Sequence, residues 1–261
     1  AAGSLAAAAP DFLARQGLAA IPPQRAVYLV TALAVVAFLV SRARTPAVEL
    51  SAADREAGGA PGAPPPPRIR LLAGLFALDA FGGGFIVQSF LVYWFVVRFG
   101  AGTGALGALF AASGLLQAAS SVAAGWMADR IGYLKTMLVT HIPSNVLMVV
   151  LPFVPSFELA AVVLLLRFSL SQMDVPARQA FVVAMAPGVH RTRATAYTNT
   201  ARYVTRPFGT ALAGASMQAL GTAAPLALAG VLKLVYDALL LVSFRGFVGH
   251  EAHPEADAAA G

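Results

Sequence analysis

Long apolar blocks separated by short polar segments dominate the chain. A first block runs from about 25 to 40, and six more follow at about 71–97, 103–127, 134–152, 157–186, 193–219 and 224–244. An α-helix rises 1.5 Å per residue, so about 20 apolar residues cross a hydrocarbon core roughly 30 Å thick. The pattern predicts an all-α, polytopic bundle of membrane helices. Pro176 predicts a tilted or kinked helix within the long 157–186 block.

The segments between and around these blocks predict the domain organisation. Residues 1–14 are apolar but too short to span, so residues 1–44 are expected to hold the end of one helix and one complete span. Residues 45–70 are rich in proline, glycine and charge, which predicts a flexible linker. Residues 71–245 are expected to form a six-helix unit, and residues 246–261 a polar tail.

Composition supports a lipid environment. Of 261 residues, 58% are hydrophobic and 11% are charged, which is too little charge to cover a water-soluble surface. The net charge of +6 does not form a basic stripe, so we expect a lipid bilayer and no nucleic acid as partner. The chain lacks cysteine, and its four histidines show no metal-ligand spacing. We therefore expect no metal, no cofactor and, because no nucleotide loop or nucleophile–base set is present, no enzyme activity.

The distribution of Lys and Arg predicts the orientation in the membrane. The linker, the 129–135 loop, the 190–193 loop and the tail are expected on one side of the membrane. This side holds ten basic residues: Arg42, Arg44, Arg55, Arg68, Arg70, Arg130, Lys135, Arg191, Arg193 and Arg245. The opposite side holds three, namely Arg15, Arg25 and Arg98. The positive-inside rule places the first set in the cytoplasm. The linker and carboxyl terminus are therefore expected to be cytoplasmic, in a cell inner (plasma) membrane.

One loop carries a recognisable motif. It begins at Gly125, continues through Asp129 and Arg130 to Gly132, and ends at Lys135. Gly125 permits close helix approach and Gly132 a tight turn, Asp129 can cap a neighbouring helix, and the two basic residues favour the cytoplasmic face. The loop resembles the G-x-x-x-D-R-x-G-x-R/K-R/K loop of the major facilitator superfamily, bacterial type, although a leucine stands where a basic residue is usual.

The resemblance covers nearly the whole chain. The segments 167–179 and 198–202 also look like helices ten and eleven of bacterial facilitators. The family's complete fold has two six-helix halves, so the resemblance implies helices six to twelve here and a missing amino-terminal half as partner. It further implies a secondary transporter that works by alternating access, commonly for efflux of a metabolite or drug, as an antiporter or symporter.

Charged residues inside the predicted spans indicate a polar cavity. A charge at membrane depth costs at least ~2.5–3.5 kcal/mol, so it needs a partner or a watery cavity. Asp174 and Arg178 share a helix face, and Lys233 and Asp237 are expected to neutralise each other in the same way. The residues proposed to line the substrate or coupling cavity are Asp79, Gln88, Asp174, Arg178, Asn199, Arg202 and Arg206.

Several interpretations stay open at this stage. The surplus of embedded positive charge favours an anionic or zwitterionic solute, and Asp79 and Asp174 are candidates for proton coupling. Gly82–Gly84 fits either a hinge or tight packing. His141 is expected to be a structural residue. The alternatives are a seven-helix retinal photoreceptor, with Lys233 in its last span but without the usual preceding aspartate, and a non-transporting membrane structural fragment.

Overall fold

The computed structural model of the protein describes residues 32–33, 35–41, 65–186 and 191–247. Within these ranges the fold is all-α, without strands, as the sequence predicted. Residues 35–41, at the end of the first predicted span, are helical. The main helices are α1 (Pro67–Gly84), α2 (Gln88–Phe99), α3 (Thr103–Ile131), α4 (Tyr133–Val150), α5 (Phe157–Ser171), α6 (Asp174–Met185), α7 (Arg191–Leu220) and α8 (Ala224–Phe244). Short 3₁₀ turns follow α4 (Leu151–Phe153) and α8 (Arg245–Phe247).

Five segments are long and apolar enough to cross a membrane. They are Pro67–Phe99, Thr103–Ile131, Tyr133–Phe153, Phe157–Met185 and Ala224–Phe247. Helix α7 has the length for a sixth, since its 30 residues extend about 45 Å. It is too polar to count as an apolar span because Arg202 and Arg206 interrupt its central turns. The 193–219 block is therefore a helix of the expected length, but less apolar than the other five.

Two predicted spans are interrupted helices. The 71–97 block divides into α1 and α2, which are separated at Phe85–Val87 directly after the three consecutive glycines. The 157–186 block divides into α5 and α6 around Gln172. Pro176 has no backbone N–H to donate to the carbonyl of Gln172, which explains why the helix breaks there.

The described ends of the six-helix unit differ slightly from the prediction. Helix α1 begins at Pro67, inside the segment predicted to be linker up to residue 70. Proline fits the first helical position because its φ is already helical and its missing N–H would have no helical partner. Residues 45–64 of the predicted linker, the predicted helix end at 1–14 and the tail from residue 248 lie outside the described residues.

The contact between α1 and α7 is the most extensive in the bundle. Gly84 and Gly209 face each other, and a Cβ on either would overlap backbone atoms of the opposite helix. The hydroxyl of Thr205 donates to the Ala77 carbonyl at 3.0 Å, and that of Thr210 donates to the Gly84 carbonyl at 3.1 Å. Glycine is thus required for tight packing at the point where α1 ends, so packing and helix interruption coincide.

Two apolar clusters enclose a polar layer. One contains Trp94 and Phe95 of α2, and the other contains Phe76 of α1 and Phe181 of α6. Along α1, α4 and α8, the buried charged and polar residues fall between members of the first cluster and members of the second. The apolar clusters therefore place the charged side chains of separate helices at one level and shield them from lipid.

Candidate functional site

A buried group of charged and polar side chains, here called the charged cluster, joins five helices. Its members are Asp79 of α1, His141 and Asn145 of α4, Asp174 and Arg178 of α6, Arg202 of α7, and Lys233 and Asp237 of α8. Seven of these eight are buried, and the side chain of Arg202 is 27% exposed. Such a concentration of charge at membrane depth is costly unless its members satisfy one another.

Asp79 is the centre of the charged cluster. The ammonium group of Lys233 donates a hydrogen bond to Asp79 Oδ1. The other carboxylate oxygen lies 3.6 Å from Arg178 Nη1 and 3.9 Å from Arg202 Nη2. His141 Nε2 lies 3.5 Å from Asp79 Oδ1. One carboxylate thus holds together cationic side chains from α6, α7 and α8.

Asp174 and Arg178 form the pair that their spacing predicted. Arg178 Nη1 donates to both carboxylate oxygens of Asp174, at 2.8 and 3.1 Å. Asp174 is the first residue of α6, where a negative charge also interacts favourably with the positive end of the helix dipole. The pair is therefore supported locally and is also connected to Asp79 through Arg178.

The expected pairing of Lys233 with Asp237 is wrong. Lys233 pairs with Asp79 instead, and Asp237 bonds to α4 through two different groups. His141 Nδ1 lies 2.7 Å from Asp237 Oδ1, and Asn145 Nδ2 donates to Asp237 Oδ2 at 2.7 Å. Both carboxylate oxygens of Asp237 are thus satisfied by hydrogen-bond donors, which the i and i+4 spacing of Lys233 and Asp237 could not reveal.

His141 belongs to the centre of the candidate site, although the sequence predicted a structural role. Its Nδ1 lies 2.7 Å from Asp237 Oδ1, and its Nε2 lies 3.5 Å from Asp79 and 4.0 Å from Asp174. The ring therefore lies between carboxylates from three other helices. The available sequence signal was the pair of polar residues His141 and Asn145, four apart within an apolar span.

A further buried cation lies near the charged cluster. Arg167 of α5 is buried, and its guanidinium lies 4.9 Å from the centre of the Phe168 ring. No carboxylate of the described residues lies within ion-pairing distance of it, and its Nε has no hydrogen-bond partner among them. The embedded charges thus retain the positive surplus that the sequence indicated.

Three members of the charged cluster have the chemistry of metal ligands. The nearest ligand atoms of Asp79, His141 and Asp174 all lie within 4.8 Å of one another. In this arrangement Lys233 occupies one oxygen of Asp79, and Arg178 occupies Asp174. A divalent cation would have to displace Lys233 and lie beside the positive charge of Arg178. The geometry therefore favours internal ion pairs over a metal.

Gln88 and Arg206 line a separate cavity of about 370 Å³, here called the Arg206 cavity. It lies beside the interruption between α1 and α2, and the other lining residues come from that interruption, α2, α3 and α5. Those residues are Ile86, Val87, Leu91, Phe110, Ser113, Gly114, Gln117 and Phe168. Arg206 is exposed, and no ion pair connects it to another described residue.

The structure divides six of the seven predicted cavity residues between two places, and Asn199 lies at neither. Four of them, Asp79, Asp174, Arg178 and Arg202, come together in the charged cluster. Gln88 and Arg206 lie at the Arg206 cavity. Asn199 is half-buried on α7, one turn before Arg202. Its side chain forms no hydrogen bond within the described part of the chain.

The predicted loop motif joins α3 to α4 through a single residue. Gly132 has φ of +85°, a conformation that favours glycine, and it ends one helix while it begins the next. The hydroxyl of Thr136 donates to the Gly132 carbonyl at 2.8 Å. No side chain caps the start of α4, so the capping expected of Asp129 does not occur there.

The other motif residues are on the surface of the described structure. Asp129, Arg130 and Lys135 are exposed, and the Arg130 guanidinium stacks 3.7 Å from the centre of the Trp126 ring. A Cβ added to Gly125 would meet no atom within 4 Å. The close helix approach expected at Gly125 is therefore absent within residues 65–186 and 191–247.

Comparison with known proteins agrees with the resemblance seen in the sequence. The family model described as Major Facilitator Superfamily matches residues 71–260. The chain is 31% identical over 106 residues to a Saccharomyces cerevisiae protein named "Uncharacterized membrane protein YJR124C". That match covers 40% of this chain and about a quarter (24%) of the yeast protein. No solved structure matches the chain. The chain belongs to the major facilitator superfamily, a family of multi-pass membrane transporters.

Proposed function

We propose that the chain forms part of a secondary transporter that exports a small anionic or zwitterionic metabolite or drug in exchange for protons. The observation that carries this proposal is the charged cluster, in which one carboxylate connects three other helices across the bundle. Family membership favours transport over a retinal photoreceptor, and the ammonium of Lys233 is already bound by Asp79. The solute crosses by alternating access, without covalent chemistry.

The geometry gives proton binding a mechanical consequence. A proton on Asp79 removes the negative charge that holds Lys233 of α8, and it weakens the attraction to Arg178 and Arg202. The imidazole of His141, with Nε2 3.5 Å from Asp79, is an adjacent group that can exchange a proton with that carboxylate. Protonation therefore favours a different arrangement of α1 against α6, α7 and α8, which links proton binding to helix movement.

The polar face of α7 supports a second helical unit beside this one. Arg206 is exposed and Arg202 is partly exposed, yet both lie on a helix long enough to cross the bilayer. Exposed arginines are unfavourable against lipid but suit a water-filled space between two units. We propose that the family's amino-terminal six-helix half covers this face. With the basic segments inside, the protein lies in the plasma membrane with a cytoplasmic carboxyl terminus.

Gradient-driven flux in proteoliposomes tests the proposal. A panel of labelled metabolites and drugs is screened with this chain alone and with the chain joined to an amino-terminal six-helix half. Asp79→Asn and Asp174→Asn are compared with Glu158→Gln, which alters an exposed carboxylate outside the charged cluster and outside the loop motif. We expect flux from the joined protein, loss in Asp79→Asn and full activity in Glu158→Gln. Equal flux from the short monomeric chain, or full flux in both buried variants, contradicts the proposal.

A further inference from the structure

We propose that the Arg206 cavity binds a small hydroxycarboxylate, with its carboxylate at Arg206 and its hydroxyl at Gln117. This inference rests on the proposed transport function and specifies the class of solute. It also separates two roles, because the solute occupies the Arg206 cavity whereas protons bind at the charged cluster. The cavity's charge, its hydrogen-bond acceptor and its size each support a different part of the proposed solute.

The charge of the cavity favours an anion. Arg206 is the charged side chain among the lining residues, and no carboxylate of the described residues lines the cavity. Val87 and Gln88 also line it, so the amino terminus of the 12-residue helix α2 forms part of the wall. The free N–H groups and the helix dipole at that end attract negative charge. Arg206 and the start of α2 therefore provide complementary attraction for a carboxylate.

Helix α3 presents a hydrogen-bond acceptor to the cavity. The amide nitrogen of Gln117 donates to the Ser113 carbonyl at 3.1 Å, which leaves the amide oxygen of Gln117 able to accept. Ser113 itself is buried, and its hydroxyl donates to the Leu109 carbonyl at 2.8 Å, so it supports the wall without reaching the solute. The Gln117 oxygen requires a donor on the solute. A hydroxyl fits better than an ammonium group, which would lie near Arg206 without a carboxylate to neutralise it.

The volume and the apolar wall limit the rest of the molecule. About 370 Å³ corresponds to roughly 12 water-sized groups at about 30 Å³ each. Phe110 and Phe168 are positioned to contact one ring or branched aliphatic group. The cavity therefore suits a compact molecule that combines a carboxylate, a neighbouring hydroxyl and one apolar group.

Equilibrium dialysis of the full chain in detergent, with labelled mandelate as probe, tests this inference. Mandelate carries a carboxylate, a hydroxyl and a phenyl ring. Three related compounds each change one feature: phenylacetate lacks the hydroxyl, phenylglycine has an ammonium group in its place, and mandelamide lacks the negative charge. We expect mandelate to bind more tightly than all three. Equal affinity for mandelate and phenylacetate, or tighter binding of phenylglycine or mandelamide, overturns the proposal.

Two variants assign the binding to the cavity. Arg206→Gln is expected to weaken mandelate binding about 10- to 100-fold, as the loss of a charge-assisted hydrogen bond does. Gln117→Leu is expected to weaken mandelate about fivefold while it leaves phenylacetate unchanged. The control is Arg98→Gln, because Arg98 is an exposed arginine at the opposite end of α2. Unchanged affinity in Arg206→Gln, or the same loss in Arg98→Gln, contradicts the assignment.

The binding assay separates this inference from the proposed transport function. Binding at equilibrium in detergent requires no gradient, and it is measured both with the chain alone and with the chain joined to an amino-terminal six-helix half, because that half is proposed to cover the face that carries Arg206. Selective mandelate binding without gradient-driven flux would support the Arg206 cavity and refute the proposed transport. Proton-linked flux of another solute, without mandelate binding, would refute this inference alone. Retained size-exclusion behaviour of each variant shows that a loss of binding is not a loss of folding.

Discussion

The unequal dependence of Asp79 and Lys233 on each other gives a quantitative prediction about stability. Lys233 has Asp79 as its ion-pair partner among the described residues. Asp79 has additional neighbours, with Arg178 at 3.6 Å, Arg202 at 3.9 Å and His141 at 3.5 Å. Asp79→Asn therefore leaves Lys233 buried without a counter-charge, whereas Lys233→Met leaves Asp79 surrounded by other cationic groups.

The expected magnitudes follow from this difference. Breaking a buried ion pair by removing one partner costs about 3–5 kcal/mol. Asp79→Asn retains one hydrogen-bond acceptor for Lys233, so we expect the lower end, about 3 kcal/mol. For Lys233→Met we expect about 1–2 kcal/mol, because Arg178 and Arg202 still neutralise Asp79. In the double variant, Asp79→Asn no longer leaves a buried ammonium, so its cost should be about 1–2 kcal/mol below the sum of the single variants.

The assay is reversible unfolding of the purified protein in mixed micelles by increasing fractions of sodium dodecyl sulfate. The free energy of unfolding is compared for the original protein, both single variants and the double variant. Asp129→Asn is the matched control for Asp79→Asn, since Asp129 is exposed, and we expect a change within about 0.5 kcal/mol.

Two results would refute the reasoning about Asp79 and Lys233. The first is an equal or larger loss of stability in Lys233→Met than in Asp79→Asn. The second is a double variant whose cost equals the sum of the single costs. Either result would show that Asp79 does not provide the counter-charge that Lys233 needs in the folded bundle.

Three further predictions concern packing, hydrogen bonding and the loop turn. Gly209→Ala should destabilise the bundle by about 1–3 kcal/mol because the added Cβ overlaps α1. Gly214→Ala is the control on the same helix, since open space surrounds Gly214, and it should be neutral or slightly stabilising in the same unfolding assay. Asn145→Ala should cost about 1–3 kcal/mol, since it removes a 2.7 Å hydrogen bond to a buried carboxylate oxygen, and Asn145→Asp should cost more. Gly132→Ala should lower the thermal unfolding midpoint because φ is +85° there, and an unchanged midpoint would contradict that strain.

Local geometry explains which parts of the fold and site could be predicted from the sequence. Apolar block length predicted the helices, and Pro176 predicted a tilt or kink in the 157–186 block, where the structure has an interruption between α5 and α6. Asp174 and Arg178 could be paired because residues four apart on a helix are neighbours in any tertiary structure. These features depend on positions close together in the chain.

Long-range contacts explain what the sequence did not reveal. Lys233 and Asp237 have the same spacing as Asp174 and Arg178, yet each finds a better partner on another helix. The bond between His141 and Asp237 joins positions 96 residues apart, and that between Lys233 and Asp79 joins positions 154 apart. Helix packing decides these contacts, and one sequence contains no direct information about it. Helix packing also explains why Gln88 and Arg206, which were predicted to share a cavity with Asp79, lie at a separate cavity.

Solute-dependent proton movement in proteoliposomes tests the central claim most directly. The chain joined to an amino-terminal six-helix half is reconstituted with a pH-sensitive dye inside, and a solute gradient is imposed while the external pH and membrane potential are held constant. If Asp79 couples the two movements, solute leaving one compartment will be accompanied by protons entering it. Asp79→Asn will then abolish this proton movement, and Glu158→Gln will preserve it. Solute flux without proton movement, or proton movement that persists in Asp79→Asn, would contradict the role assigned to the charged cluster.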